Sequence, residues 1–305
     1  MSHLGEREEK SCLNCNALVH GKYCHICGQE NIEPKESVWH LVSHFFQDIT
    51  HFDGKFFNTL RLLIWRPGFL SRRYMEGRRT SYLNPVRMYV FTSAFFFLVF
   101  FTFFNAGNLT IHTNTLKING KTIINLKYNT KSSYDSALLT RTENDNWWER
   151  QLMYKKIEIN RKYGNNKGEF GAEMVKDILH HLPQLLFISL PLFAIILQLL
   201  YIRRKKFYYV GHVIFSIHLY IFFFISLLVI LGLNKMNEQL DWRSINILSG
   251  LLVAANFFYL YKALRNFYDQ RRGKTILKFL LLNLLSFYLI TLLFLFLIFF
   301  SFFTI

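Results

Sequence analysis

The sequence lacks the short motifs by which the common enzyme classes are recognised. It contains no glycine-rich phosphate loop ending in lysine, no Gly-x-Ser-x-Gly nucleophile elbow and no His-Glu-x-x-His metal motif. Acidic residues are almost missing from its long apolar stretches, so proton-coupled transport through a buried carboxylate is not indicated. No inverted repeat is evident, which also disfavours a secondary transporter. No apolar run follows Met1, and we therefore expect no cleavable signal peptide.

Long uncharged runs are the dominant feature of the chain. It is 51% hydrophobic, with 33 phenylalanines, and the run over residues 88–104 contains no charged side chain. A helix of about twenty apolar residues crosses the roughly 30 Å hydrocarbon layer of a bilayer. Asn84 and Pro85 suit the start of that helix, and Pro191 predicts a kink in a later one. Five spans are predicted, at about residues 86–104, 178–202, 210–233, 245–261 and 276–303.

Positive charge is clustered beside these spans. The formal net charge is +16, and lysines and arginines gather at residues 66–87, 203–206 and 262–278. Basic residues concentrate on the cytoplasmic side of short loops. Five spans with these clusters inside place the N-terminus in the cytosol and the C-terminus outside the cytoplasmic membrane. The clusters also predict contact with membrane lipids, including anionic headgroups. A nucleic-acid partner is the less favoured interpretation of the same charge.

The four cysteines of the chain form two Cys-x-x-Cys pairs, Cys12 with Cys15 and Cys24 with Cys27. This spacing is typical of four thiolates around one tetrahedral Zn²⁺ ion. Four protein ligands leave no open position, so we expect one structural zinc per chain in a ribbon over residues 1–33. Disulfides or free thiols are the alternative, which a reducing cytosol disfavours. The ribbon suits a docking module for protein, nucleic acid or lipid headgroups, and nothing in it chooses among these partners.

Residues 34–84 are predicted to hold interfacial amphipathic helices and a basic loop that begins at Arg66. Apolar residues over 38–64 fall at helical spacing, with a possible break at Asp53-Gly54. The opposite stripe could hold a catalytic metal, since side chains one helical turn apart can share an ion. A solvated polar face is the favoured interpretation, because no zincin-like glutamate lies between the first two histidines. The candidates on this stripe are His40, His44, Asp48 and His51.

Residues 85–305 form the predicted membrane domain, which contains an external insert over residues 105–177. Segments 116–118 and 122–126 flank Asn119-Gly120, a strong signal for a β-hairpin turn. After a Ser/Thr-rich link, Trp147 and Trp148 open a stretch typical of an interfacial amphipathic helix, and a further helix is expected from Glu173. Carbohydrate binding by the tryptophan pair is a less favoured alternative.

Polar side chains from five different spans are predicted to lie in one layer in the cytoplasmic half of the bilayer. They form either a polar chamber for a headgroup, a small solute or a metal, or hydrogen bonds that hold the helices together, which is the favoured interpretation. His218 is the strongest candidate, because imidazole titrates near neutral pH and ligates metals, and His212 is the second. The layer consists of Thr92, Ser93, Gln198, His218, Asn256 and Asn283.

Several motifs together resemble those of one known family. They are His51-Phe-Asp-Gly-Lys-Phe-Phe-Asn-Thr-Leu60, Arg66-Pro-Gly-Phe-Leu-Ser-Arg-Arg-Tyr74, Gly77-Arg-Arg79, Tyr82-Leu-Asn-Pro-Val-Arg-Met-Tyr89 and His212-Val-Ile-Phe-Ser-Ile-His218. The chain resembles an uncharacterised bacterial family that joins several membrane spans to an N-terminal zinc ribbon ending in Tyr-Cys-x-x-Cys-Gly-Gln, here Tyr23 to Gln29. The resemblance implies this architecture and a bacterial origin. The family is a domain of unknown function, and so it implies no mechanism.

The sequence as a whole predicts a mainly α protein, a polytopic membrane bundle with a small zinc ribbon and a small α+β external domain. The favoured function is non-enzymatic recruitment, sensing or scaffolding of a cytosolic protein through the ribbon. One alternative is a transporter, channel-like or membrane-permeabilising effector that uses the polar layer. The other is a membrane-bound, metal-dependent enzyme acting on a lipid through the candidate residues His40, His44, Asp48, His51 or His218. No feature of the sequence indicates an oligomeric state.

Overall fold

The computed structural model describes residues 7, 9–31, 55–103, 130–139, 145–164, 167–240 and 242–305. Within these ranges the chain is mainly helical, as predicted, with two isolated antiparallel bridges and no strands. The nine helices of the described residues are α1 (Phe56–Trp65), α2 (Phe69–Met75), α3 (Pro85–Phe103), α4 (Lys131–Leu139), α5 (Trp147–Tyr163), α6 (Lys167–Leu200), α7 (Tyr209–Leu240), α8 (Arg243–Tyr268) and α9 (Arg272–Thr304).

Five of the described helices are long and apolar enough to cross a membrane, which indicates a multi-pass membrane protein. Their number and positions agree with the five predicted spans. Many of their large apolar side chains face outward, among them Leu284 and Phe287 of α9. A water-soluble protein rarely exposes so continuous an apolar surface, whereas a lipid-facing helix requires one. The candidate spans cover Pro85–Phe103, Gly168–Leu200, Tyr209–Glu238, Ser244–Tyr268 and Arg272–Thr304.

The helix expected from Glu173 and the second span are one continuous helix. α6 runs for 34 residues and begins at Lys167. Pro183 and Pro191 both lie inside it, so the proline predicted to kink the span does not end the helix. Each proline removes one helical N–H, but burial of neighbours such as Leu190 supplies enough packing to maintain the helix through both positions.

The chain divides into two compact units, of which the first comprises Met1–Phe103 and Leu186–Thr291. Its core is strongly aromatic. The rings of Tyr201 and Tyr268 stack with centroids 3.4 Å apart, and those of Phe222 and Tyr259 stack at the same separation. Aromatic pairs bury a large apolar area for each residue. Side chains of α6, α7, α8 and α9 therefore meet in one cluster, which includes Phe193, Leu197, Tyr201, Phe215, Leu219, Tyr259, Leu264, Tyr268 and Leu282.

The stretch predicted to be a basic loop contains helix α2. Between its arginines lie Leu70, Ser71 and Tyr74, all of which are buried. Their burial against α7 and α8 explains why this charged segment folds, since packing of one helix face outweighs weak local propensity. Gly68 precedes the helix in the left-handed conformation (φ 76°), and its backbone lies against that of Ala263 in α8. Two further bonds tie α1 and α2 to α8, namely Tyr259 OH to Leu63 O (2.7 Å) and Asn266 Nδ2 to Pro67 O (2.9 Å).

The second unit comprises Phe104–Leu185 and Leu292–Ile305. The helix predicted from Trp147 is confirmed as α5, and Asn146 and Glu149 form a capping box at its start. α4 was not predicted, because it lies in the Ser/Thr-rich link. Its Tyr134 and Leu138 pack with Ile157 of α5 in a small core. The described part of the insert is thus helical, and the hairpin predicted around Asn119-Gly120 lies outside the described residues.

Candidate metal centre and its contact with the basic loop

The four cysteines lie in two tight turns with the same local structure, within a segment that we call the cysteine module (residues 9–31). The amide of Asn16 donates to Cys12 O (2.9 Å), and the amide of Gly28 donates to Cys24 O (2.8 Å). Both donors have a left-handed backbone, with φ of 62° and 72°. An antiparallel bridge closes each turn, Ser11 with Leu18 and Tyr23 with Glu30. Asn16 therefore supplies the left-handed residue of the first turn, and Gly28 supplies that of the second. Asparagine tolerates this conformation better than most residues.

The two turns bring the four sulfur atoms together. All four Sγ atoms lie within 4.8 Å of one another, and this is the one group of three or more potential ligands found among the described residues. Cys12 Sγ lies 3.6 Å from Cys27 Sγ, and Cys15 Sγ lies 3.6 Å from Cys24 Sγ. These distances are far beyond a disulfide bond, which is about 2.05 Å long. The predicted ligand set is thus assembled as four free thiols that can hold one metal ion.

Local hydrogen bonds favour the thiolate form of the second pair. The backbone N–H of Cys27 is the main cause that lowers the pKa of Cys24. Burial alone would raise the pKa of Cys27, but hydrogen bonds from the Asn14 side chain and the Gln29 backbone lower it to about 6. At Cys15 the backbone N–H of Ala17 lowers the pKa, whereas burial and the three neighbouring sulfurs outweigh it and raise the pKa to about 12. Four thiolates this close repel one another, so the four thiols do not all ionise together. A cation bound between them would offset this repulsion.

The cysteine module is fixed to the loop between α2 and α3 by one buried side chain, that of Gln29. Its Nε2 donates to Gly77 O (2.6 Å), and its Oε1 accepts from Arg79 N (3.3 Å) and from Thr80 Oγ1 (3.2 Å). The same threonine hydroxyl lies 3.9 Å from Cys27 Sγ. Gln29 is 8% exposed, and a buried amide whose donor and acceptor are both used fixes its partners closely.

Gly77 allows the close approach of this loop. It has a left-handed backbone (φ 87°), and a Cβ there would collide with the side chain of Leu13. Ser81 Oγ donates to Asn14 Oδ1 (2.5 Å) and adds a contact at the far end of the loop. α3 begins at Pro85, four residues later. The candidate metal centre is therefore attached to the segment that leads directly into the first candidate span.

The two buried histidines of α7 connect helices. His218 Nδ1 lies 2.9 Å from Ile214 O and 3.0 Å from Ser71 Oγ of α2. Because the carbonyl oxygen only accepts, Nδ1 carries the proton, and Ser71 is not activated as a nucleophile. His212 Nδ1 lies 2.6 Å from Tyr268 OH of α8. Both imidazoles thus join packed helices, which is a structural use of these candidates.

Three other members of the predicted polar layer donate to backbone carbonyls of their own helices. Ser93 donates to Val90 O, Asn256 to Leu252 O and Asn283 to Phe279 O. Gln198 is exposed on α6, whereas Thr92 is buried. Among the hydrogen bonds of the described residues, none joins two members of the layer. This geometry favours the interpretation as helix packing over that as a polar chamber. The remaining candidates, His40, His44, Asp48 and His51, lie outside the described residues.

The basic clusters of the sequence meet at one end of the first unit. Arg204 donates to Asp269 O (3.4 Å), and Lys278 Nζ lies 3.7 Å from the ring centroid of Tyr201. Asp269 also lines a cleft of about 600 Å³ together with residues of α1, α2 and α8. Four of those residues are cationic, and they come from two clusters that lie far apart in the sequence: Arg66, Arg72, Lys262 and Arg265.

Sequence reasoning found the four sulfur ligands but missed the residues that fix them to the bundle. In the sequence Gln29 is only the last residue of the Tyr-Cys-x-x-Cys-Gly-Gln motif, and its partners are mostly backbone atoms, which leave no signal there. The isolated glycine at position 77, among the arginines of the basic segment, is the available hint, because glycine often marks a close approach of the backbone.

Comparison with known proteins finds a family match over part of the chain. The family described as "Protein of unknown function (DUF3667)" matches residues 53–97. This stretch contains α1, α2, the loop that Gln29 contacts and most of α3. It overlaps the motifs of the resemblance that lie between His51 and Tyr89, whereas Tyr23–Gln29 and His212–His218 lie outside it. The cysteine module lies outside the matched residues. Neither a curated protein nor a solved structure matches the chain.

Proposed function

We propose that this chain is a non-enzymatic, multi-pass protein of the bacterial cytoplasmic membrane that recruits or senses a cytosolic protein partner. The cysteine module would be a zinc ribbon that binds the partner, and the bundle would anchor it and transmit its state. The proposed division is a ribbon over residues 1–33, interfacial helices and a basic segment over 34–84, and a membrane domain over 85–305. The proposed orientation has the N-terminus in the cytosol and the C-terminus outside.

The contact of Gln29 with the α2–α3 loop is the observation that carries this proposal. A module on a free tether would bind a partner without consequence for the membrane domain. Here one buried amide holds both the module and the loop that precedes α3. A partner that shifts the module would break these bonds or strain them, and the change would reach the first span. Such a contact supports sensing as well as anchoring.

The metal is proposed to be one structural zinc ion per chain. A tetrahedron with Zn–S bonds of about 2.3 Å has edges of about 3.8 Å, close to the 3.6 Å between the paired sulfurs. Soft thiolates in a tetrahedral arrangement favour zinc over the harder divalent ions. Four sulfur ligands leave no position for water or substrate, so the ion would stabilise the fold of the module and perform no chemistry.

Three large apolar side chains of the module support the proposal of a protein partner. Leu18, Tyr23 and Ile26 are 57%, 58% and 66% exposed. The side chains that contact the α2–α3 loop are different ones, namely Leu13, Asn14 and Gln29. Exposed apolar residues on a small rigid module are typical of a protein interface. The module therefore has residues that attach it and separate residues that remain available.

Photo-crosslinking in cells that naturally produce the chain tests this function. A photoreactive amino acid at position 26 should capture one specific protein. The same amino acid at position 202, where Ile202 is also exposed and lies at the basic end, should not. Capture at position 26 should disappear in the Cys24→Ser, Cys27→Ser double variant, while the chain still fractionates with membranes. Capture that persists without the cysteines, or that is equal at both positions, would show that the module is not the recruiting element.

A further inference from the structure

The cleft at the basic end combines a high positive charge with few partners for it. Of the lining residues, Arg66, Arg72, Lys262 and Arg265 are cationic, and Asp269 is the single carboxylate. Within the described residues, no carboxylate lies within 4 Å of Arg66, Lys262 or Arg265, whereas Arg72 pairs with Glu76 at 3.1 Å. The cleft thus has four cations against one carboxylate, and three of those cations form no ion pair among the described residues, which favours an external anion.

The cleft is held in shape by contacts between its two walls. Arg66 and Arg72 lie on the α1–α2 wall, and Lys262 and Arg265 lie on α8. Asn266 Nδ2 donates to Pro67 O (2.9 Å) directly across the walls, and the Gly68 backbone packs against Ala263. The cations are thus brought together before any ligand binds, which reduces the ordering cost of binding.

The position of the cleft along the bundle suits a lipid headgroup. The candidate span of α8 has 25 residues, or about 37 Å at about 1.5 Å per residue, which exceeds the roughly 30 Å hydrocarbon layer. The excess of about 7 Å is a little more than one helical turn, so the last turn, with Arg265, reaches the headgroup level, and the long side chain of Lys262, one turn earlier, extends to it. Trp65 lines the cleft and is 78% exposed, and Phe57, two turns earlier on α1, is 76% exposed. Exposed aromatic residues beside arginines are typical of the membrane interface.

We propose that this cleft binds the phosphate of one anionic phospholipid headgroup. The guanidinium groups of Arg66 and Arg265 would bind phosphate oxygens through paired N–H donors, and Lys262 would add a point charge. Asp269 would accept hydrogen bonds from headgroup hydroxyls, and Trp65 would contact the glycerol and upper acyl chain. Basic pockets beside transmembrane helices recognise anionic headgroups in this way. The proposal is independent of the cysteine module, which lines no part of the cleft.

Native mass spectrometry of the full chain with added phosphatidylglycerol tests the site. The Lys262→Gln, Arg265→Gln variant should bind the first phosphatidylglycerol molecule about tenfold more weakly than the wild type, since charge-assisted hydrogen bonds are lost. The matched control is Arg203→Gln with Lys205→Gln, which removes the same charge at the same end from side chains outside the cleft. Its affinity should stay within about twofold of the wild type.

Two further ligands test whether the cleft prefers an anionic headgroup and whether it binds a lipid or a soluble phosphate ester. Phosphatidylcholine has the same phosphate but adds a choline cation that the cleft's basic side chains repel, so the cleft variant should weaken its binding less than that of phosphatidylglycerol. Soluble glycerol 3-phosphate at the same concentration should not displace phosphatidylglycerol. Equal loss of phosphatidylglycerol in the cleft variant and the control would overturn the site. Displacement by glycerol 3-phosphate would overturn its assignment to a lipid and make it a site for soluble phosphate esters. The conservative Lys262→Arg variant, which keeps the positive charge, should bind phosphatidylglycerol as the wild type does, whereas the Lys262→Gln, Arg265→Gln variant binds it more weakly.

Discussion

The purified chain should carry one zinc ion, and the Cys24→Ser, Cys27→Ser double variant should carry none. Apparent binding free energies of structural zinc sites are about 10–16 kcal/mol. The module has little else to stabilise it, because its core consists of Cys12, Val19 and Cys24. Removal of the ion should therefore unfold residues 9–31 and leave the helices in place. Elemental analysis gives the stoichiometry, and protease cleavage within the module reports its unfolding.

A matched control comes from the two histidines next to the cysteines. His20 and His25 have ring centroids 6.2 Å apart and do not belong to the group of four sulfurs. The His20→Ala, His25→Ala variant should therefore retain one zinc ion. If metal remains when Cys12 and Cys15 are also changed to serine, a different site holds it. Attention would then move to the candidates His40, His44, Asp48 and His51, and with them to an enzymatic function.

Gly68→Ala should strongly destabilise the first compact unit. A left-handed backbone costs a non-glycine residue about 1–2 kcal/mol. A Cβ at this position would lie 2.6 Å from Ala263 O, a backbone atom that cannot rotate away. α2 would have to move off α8, which would stretch the bonds of Pro67 and Leu63 to that helix. We expect the free energy of unfolding in detergent micelles to fall by about 3–4 kcal/mol in total.

Gly164→Ala separates the steric effect from the conformational one. Gly164 also has a positive φ (53°), but nothing lies within 4 Å of its ideal Cβ. Its ψ of −124° lies outside the left-handed α region, so its substitution should cost only the backbone term, about 1–3 kcal/mol for a conformation that side chains rarely adopt. If thermal unfolding shows equal losses for the two variants, the packing of the α1–α2 segment against α8 does not have the importance that the structure assigns to it.

The spans could be predicted from sequence because the bilayer imposes a simple rule on composition. Runs of apolar residues of sufficient length marked all five helices, and only their ends differ. α6 begins at Lys167, before its apolar run, and the run does not show this start because the first turns are amphipathic and contain glycines. α2 could not be predicted, since its four consecutive residues Leu70, Ser71, Arg72 and Arg73 show no clear period. Its fold depends on contacts such as Ser71 with His218, which is 147 positions away.

The candidate site was predictable only where its residues are close in sequence. Both cysteine pairs fall within 16 residues, and their spacing alone indicates a metal site. The attachment through Gln29 spans about 50 positions and uses carbonyl and amide groups that every residue has. The basic cleft shows the same limit. Its charges were evident in two clusters, but only the packing of α1–α2 on α8 shows that they face one space.

Hydrogen exchange at Arg79 tests most directly whether the metal-bound module holds the loop before the first span. The amide of Arg79 donates to Gln29 Oε1. Its exchange in lipid nanodiscs should rise about tenfold both in Gln29→Ala and in the metal-free Cys24→Ser, Cys27→Ser variant. Asn31→Ala, whose amide instead bonds Arg7 O, should leave that exchange unchanged. An unchanged rate at Arg79 in the metal-free variant would contradict the account, because the module and the membrane domain would then be uncoupled.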